Sequence, residues 1–126
     1  MLALAWNWRG DGRERHADRA RRLAASLCAG IGGKAFSGDA LGVDWAYRPI
    51  QGTGSWRPAA LDDGRVVFFH GYFDNVATIA AELGTNAANL ALLYGMAVER
   101  WGDDADCRII GEYCAVIADP ARRWLR

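Results

Sequence analysis

The run Arg65-Val66-Val67-Phe68-Phe69-His70-Gly71-Tyr72-Phe73 constrains this chain more than any other feature. β-Branched and aromatic residues stand on both alternating sides of it, the pattern of a strand covered on both faces. A strand of that kind belongs inside a layered domain, and the elements around it must supply the layers. Gly71 interrupts the run near its end.

The remaining segments read as alternating strands and helices. Leu2, Leu4, Trp6 and Trp8 fall on one side of an N-terminal strand and Ala3, Ala5 and Asn7 on the other. This strand is expected to lie centrally, antiparallel to strands from the second half of the chain. Asp11 followed by Glu14 forms a capping-box pattern, and Ala17, Ala20, Leu23, Ala24, Leu27 and Cys28 recur at helical spacing up to Gly30. The arginines of this helix alternate with Glu14 and Asp18, which predicts a solvated outer face rather than an RNA surface. Between Gly30 and Gly54, Leu41–Tyr47 is the best strand candidate.

After the central run, Asp74 is expected to cap a short helix with Val76, Ile79, Ala80 and Leu83 inward, closed by Gly84. A second helix starts near Thr85 or Asn86. It carries Leu90, Leu93, Tyr94, Ala97, Val98 and Trp101 on one stripe and ends at Gly102. Ile109–Asp119 returns to strand character. Asp119-Pro120-Ala121-Arg122 suits a type I turn, with Arg123–Arg126 as a short returning strand that leaves an exposed edge. The order suits a layered α+β fold.

A chain of 126 residues with 52% apolar composition and six tryptophans can build a core without staples. Trp6, Trp8, Trp45, Trp56 and Trp101 fall at core-like positions and Trp124 at an exposed one. The 15 basic and 15 acidic side chains cancel, which removes any global electrostatic pull towards nucleic acid or an anionic membrane. Cys28, Cys107 and Cys114 lack metal-site spacing and read as reduced, buried thiols; no metal is expected. The apolar N-terminus is too short for a secretory core, and no segment is long enough to span a membrane, so a cytoplasmic protein is expected.

Two stretches carry a family resemblance: His70-Gly71-Tyr72-Phe73-Asp74-Asn75, and Glu99-Arg100-Trp101-Gly102 continuing to Gly111-Glu112-Tyr113-Cys114-Ala115-Val116-Ile117-Ala118-Asp119-Pro120. Residues 57–126 resemble the second half of a class II glutamine amidotransferase domain, the N-terminal domain of asparagine-synthetase-like enzymes. The first half is similar only in the order of its elements. The resemblance implies an α+β fold of the Ntn-hydrolase type, a four-layer αββα sandwich of antiparallel sheets, with the whole chain as one domain truncated or detached from a C-terminal synthetase domain.

The resemblance also implies a lost activity. Its chemistry uses an N-terminal Cys that attacks the glutamine amide with its own amine as base. Leu2 occupies that position and has no lone pair to donate. Gly71 keeps the glycine whose N–H faces the oxyanion, but His70 replaces the Asn of that hole and Tyr72 replaces the Glu that holds the substrate amine. With Asn75 these residues form a vestigial pocket, and no catalytic residue is expected. His70 taken alone reads as a hydrogen-bonded structural residue rather than a base.

The function implied is a glutaminase-silent domain that packs against an ATP-dependent amide ligase, such as a lasso-peptide macrocyclase, and shapes its substrate site. ATP and Mg would belong to that partner synthetase domain, since this chain has no pyrophosphate loop. A peptide substrate is the second partner this reading implies. Two alternatives stand beside this reading: a free-standing interaction module on the same scaffold, and a hydrolase with an unrecognised nucleophile.

Overall fold

The computed structural model describes residues 2–6, 13–29, 36–40, 43–47 and 57–126, in two compact units, Met1–Trp56 and Arg57–Arg126. The protein is α+β, and the strand pairs among the described residues are all antiparallel.

The first unit contains β1 (Leu2–Trp6), α1 (Arg13–Cys28), β2 (Phe36–Ala40) and β3 (Val43–Tyr47), with the strands in the order β1-β3-β2. α1 packs on this sheet, chiefly against β2 and β3. Ala20 and Leu27 are buried on the helix while Arg21 and Arg22 are exposed, as their spacing predicts. Asp11 of the expected capping box lies outside the described residues.

The predicted central position of the N-terminal strand is not observed. Among the described residues β1 sits at the edge of its sheet and pairs only with β3, Leu4 opposite Trp45, so its neighbour comes from the first half of the chain. Alternating apolar residues specify a strand and its two faces but not its partner. β2 was not legible, because Ser37, Gly38 and Asp39 are poor strand formers; pairing with β3 overrides that preference. Trp45 is half-buried rather than fully enclosed.

The second unit contains β4 (Ala59–Ala60), β5 (Val66–Phe73), α2 (Val76–Leu83), α3 (Leu90–Trp101), a 3-10 turn (Gly102–Asp104), α4 (Ala105–Arg108), β6 (Gly111–Asp119) and β7 (Trp124–Leu125). Its sheet runs β4-β5-β6-β7. The register of β5 and β6 extends from Val66 opposite Ala118 to Phe73 opposite Gly111. Val67, Phe69 and Phe73 share a core with Ile117, Ile79, Leu93, Tyr94, Ala97 and Val98. Val66 and Phe68, which alternate with them, are also buried, so the first half of β5 is covered on both faces as expected. From His70 to Tyr72 the strand opens to solvent.

Gly95 lets α3 approach the sheet closely: a Cβ there would lie 2.7 Å from Leu61 Cδ2 and 2.9 Å from Val67 Cγ2. The cost of a glycine inside a helix is about 1 kcal/mol, which the closer packing offsets. Trp101 is only half-buried at the rim, with the Arg108 guanidinium 4.9 Å from the centre of its ring.

Both helix starts differ from expectation. α2 has Asn75, not Asp74, at its N-cap, and the Asn75 side chain makes no capping bond because it is engaged elsewhere. α3 begins at Leu90, later than predicted. The Asn89 Oδ1 accepts from the N–H groups of Ala91 (2.9 Å) and Leu92 (3.4 Å), while Thr85 holds a local turn by accepting from the Ala87 N–H. Asn and Thr satisfy backbone donors as well outside a helix as inside one, which shifts the boundary.

At the end of the chain the predicted turn and returning strand are present. Asp119 Oδ1 accepts from the Arg122 N–H at 2.9 Å, and Arg126 exchanges two 3.0 Å backbone bonds with Ile117. β7 is thus paired on its inner side and, among the described residues, forms the sheet edge, with Trp124 and Leu125 exposed.

Candidate functional site

The alternation of β5 and β6 sorts the predicted pocket residues by face. His70 lies directly opposite Cys114, and Tyr72 directly opposite Glu112, all four on the face of the sheet away from the Phe69 core. His70 is half-buried, whereas Tyr72, Glu112 and Cys114 are exposed. Burial holds the His70 imidazole below its ordinary pKa, so it is mainly neutral at neutral pH.

Gly71 sits between them with its Cα on the opposite face, across from Tyr113. Its φ of +133° is open to glycine, and a Cβ there would overlap the Glu112 carbonyl oxygen and the Tyr113 Cα. The strand pair requires a glycine at this position whatever chemistry occurs nearby. The missing side chain leaves room for the Tyr113 ring, whose centroid lies 5.4 Å from that of Phe69 and 5.7 Å from that of Phe73.

Asn75 is not part of this row. Its Nδ2 donates to the Arg108 carbonyl and its Oδ1 accepts from the Ile110 N–H, each at 2.9 Å. The Asp74 N–H donates to the Ile110 carbonyl at 2.7 Å. The amide side chain continues the β5–β6 pairing by one further step and ties the start of α2 to the entry of β6. All this hydrogen bonding is structural, and the amide group is committed to it. The predicted pocket therefore resolves into His70 and Tyr72, joined by Glu112 and Cys114, with Gly71 as backbone hinge and Asn75 as clamp.

The expectation of buried thiols is corrected for two of the three cysteines. Cys107 and Cys114 are free and exposed. Cys114 follows the strand alternation, but the register brings it to the open half of the sheet face rather than the covered one. The Cys28 side chain lies outside the described residues.

A second polar cluster, absent from the sequence reading, lies on the helical side. Asp106 Oδ1 accepts from the Tyr113 hydroxyl (2.8 Å) and the Tyr94 hydroxyl (3.0 Å), and Oδ2 accepts from Arg126 Nη2 at 3.3 Å. Arg126 also pairs with Asp103 at 3.0 Å. Burial pushes the Asp106 carboxyl up, but the bonds from Tyr113, Tyr94 and Arg126 outweigh it and hold the group below its ordinary value. Burial and then the bond to Asp106 raise Tyr94 to about 12, and the same two causes raise Tyr113. Neither hydroxyl is poised to give up a proton at neutral pH, so the cluster fastens α3, α4, β6 and the chain end together.

A pH dependence follows. The Asp106 pKa is depressed on folding, so its contribution is present above the ordinary carboxylate range and is lost as pH falls through the folded value. The Tyr94 pKa is raised, so its contribution is present below about 10 and is lost as pH rises towards about 12. Urea unfolding of Asp106→Ala is expected to show a loss of about 1–2 kcal/mol at neutral pH, with the difference from the unmodified protein shrinking in acid. A difference independent of pH would refute the assignment.

Leu2, the residue at the predicted nucleophile position, opens β1 opposite Tyr47. Among the described residues no group of three or more His, Cys, Asp or Glu side chains could hold a metal ion, and no helix is long and apolar enough to cross a membrane. Compared with known proteins, the chain matches no family profile, no curated protein and no solved structure.

Proposed function

We propose that the chain is a glutaminase-silent amidotransferase-like domain that supports an ATP-dependent, asparagine-synthetase-like amide ligase of the peptide-macrocyclase type. The observation that carries this reading is the course of the chain through its second unit. A buried strand ends at His70-Gly71-Tyr72, a turn leads into two helices, and a long strand returns antiparallel to the first before a final hairpin. Along this course the two stretches that carry the resemblance come in sequence, residues 70–75 at the end of the first strand and residues 111–120 through the returning one. The four-layer αββα sandwich is part of the same proposal: each unit brings an antiparallel sheet and at least one helix packed on it, the inventory such a sandwich needs.

The side chains at the pocket positions argue for silence. Leu2 offers neither a nucleophile nor a polar atom to a developing oxyanion. His70 and Tyr72 present an imidazole and a phenol where the resemblance implies an amide donor and a carboxylate clamp, and Asn75 is spent on the α2–β6 clamp. The domain's contribution is then to pack against a synthetase domain, which holds ATP and Mg, and to shape the site for a peptide substrate.

Purified protein is expected to release no ammonia from glutamine, and Leu2→Cys with Met1 removed is expected to stay inactive. Loss of an oxyanion donor alone costs about two to three orders of magnitude in rate. Co-expression with neighbouring reading frames is expected to yield a complex that exchanges pyrophosphate into ATP. Glutaminase activity in the unmodified protein would overturn the reading. Robust activity in the single Leu2→Cys variant would show that the pocket is intact and only the nucleophile is lost.

A further inference from the structure

The sheet face that carries His70 holds a nucleophile that the sequence reading placed in the core. We propose that Cys114 is a reactive thiol that forms mixed disulfides with low-molecular-weight disulfides, with His70 as its base. This inference is independent of Leu2 and of glutaminase chemistry.

The geometry has three parts. Cys114 and His70 are direct cross-strand partners on one face, which puts their Cβ atoms about 4.5–5.5 Å apart, within reach of a side-chain rotation. Cys114 is free and exposed, so a small disulfide can approach its sulfur. The neighbours on the same face, Tyr72 and Glu112, are exposed as well.

Attack by the sulfur requires removal of the thiol proton, and the imidazole directly across the strand pair is the group placed to take it. In the step, His70 accepts the Cys114 thiol proton and the sulfur attacks one sulfur of the small disulfide. The Cys114–S bond forms as the disulfide's S–S bond breaks. The departing thiolate takes the proton back from His70; the Cys114 sulfur is oxidised to the disulfide level, one half of the small disulfide leaves reduced as a thiol, and no other oxidant is needed.

Cys107 provides an internal comparison. It is also free and exposed, but it sits on α4 next to Asp106 and, unlike Cys114, is not the cross-strand partner of a histidine among the described residues. Reduced protein would be incubated with oxidised glutathione at neutral pH and the adducts mapped by peptide mass spectrometry over time. Cys114 is expected to react roughly ten-fold faster than Cys107, and His70→Gln is expected to bring it down to the Cys107 rate while leaving Cys107 unchanged. Far-UV circular dichroism reports whether the variant folds, and His70→Asn serves as a second variant with the same expectation. Equal rates at the two cysteines in the unmodified protein, or a Cys114 advantage that survives loss of the imidazole, would overturn the proposal.

Discussion

Gly71→Ala is expected to destabilise the protein by about 3 kcal/mol or more, measured as a shift in the urea midpoint. Two effects combine. At φ +133° an L side chain is strained whatever space surrounds it, and here there is no space. The new methyl would meet the backbone of Glu112 and Tyr113, which cannot rotate away as a side chain could. Relief requires β5 and β6 to part where Tyr113 packs between Phe69 and Phe73. Gly64→Ala is the control. Gly64 also has a positive φ, +85°, but a Cβ there meets nothing within 4 Å, so the cost is limited to backbone strain of about 1 kcal/mol. Similar losses in the two variants would remove the close approach of the strands as the cause.

Phe69→Ala should cost about 3–5 kcal/mol, a large share of the roughly 5–15 kcal/mol that stabilises a typical domain. The side chain is almost wholly buried and its ring meets those of Phe73 at 4.9 Å, Tyr113 at 5.4 Å and Tyr94 at 6.0 Å. Those three rings come from two strands and a helix, so no single element can move in to fill the vacated volume. Tyr72→Ala, on the same strand but 48% exposed, is expected to change stability by no more than about 0.5 kcal/mol. A small effect at Phe69 would mean that the aromatic cluster repacks freely.

The parts of this fold that were legible are those written in local apolar patterns. The Val66–Phe73 run, the stripe from Leu93 to Val98 and the glycine closing α2 each specify an element through its own residues. Pairing was legible only where a turn dictated it, as at Asp119 and Pro120. The partner of β1 was not, since nothing in Leu2–Trp6 distinguishes β3 from any other strand edge. β2 is held by its neighbour rather than by its own propensity.

The candidate site divides in the same way. His70, Gly71 and Tyr72 were identifiable as a motif, but their distribution over two faces depends on register with β6. That register also brought Cys114 and Glu112 into the row. Asn75 was assigned to the pocket because a motif does not record where a side chain's hydrogen bonds go. The Asp106 cluster unites groups from α3, α4, β6 and the chain end, and no spacing in the sequence links them.

The clamp at Asn75 also bears on the order in which this unit can assemble. Phe73 and Gly111 are neighbours in the sheet, yet the whole excursion through α2, α3 and α4 lies between them. Before those two residues meet, the chain must bear the entropy of closing a long loop, and the ladder can return little until it is shut. Helical segments shorten the excursion and, through α3 against Val67, hold its two ends near each other. The two bonds from Asn75 then act at the neck of the loop, where the first rungs of the β5–β6 ladder would form. The kinetics of this sheet are thereby tied to residues that lie outside either of its long strands.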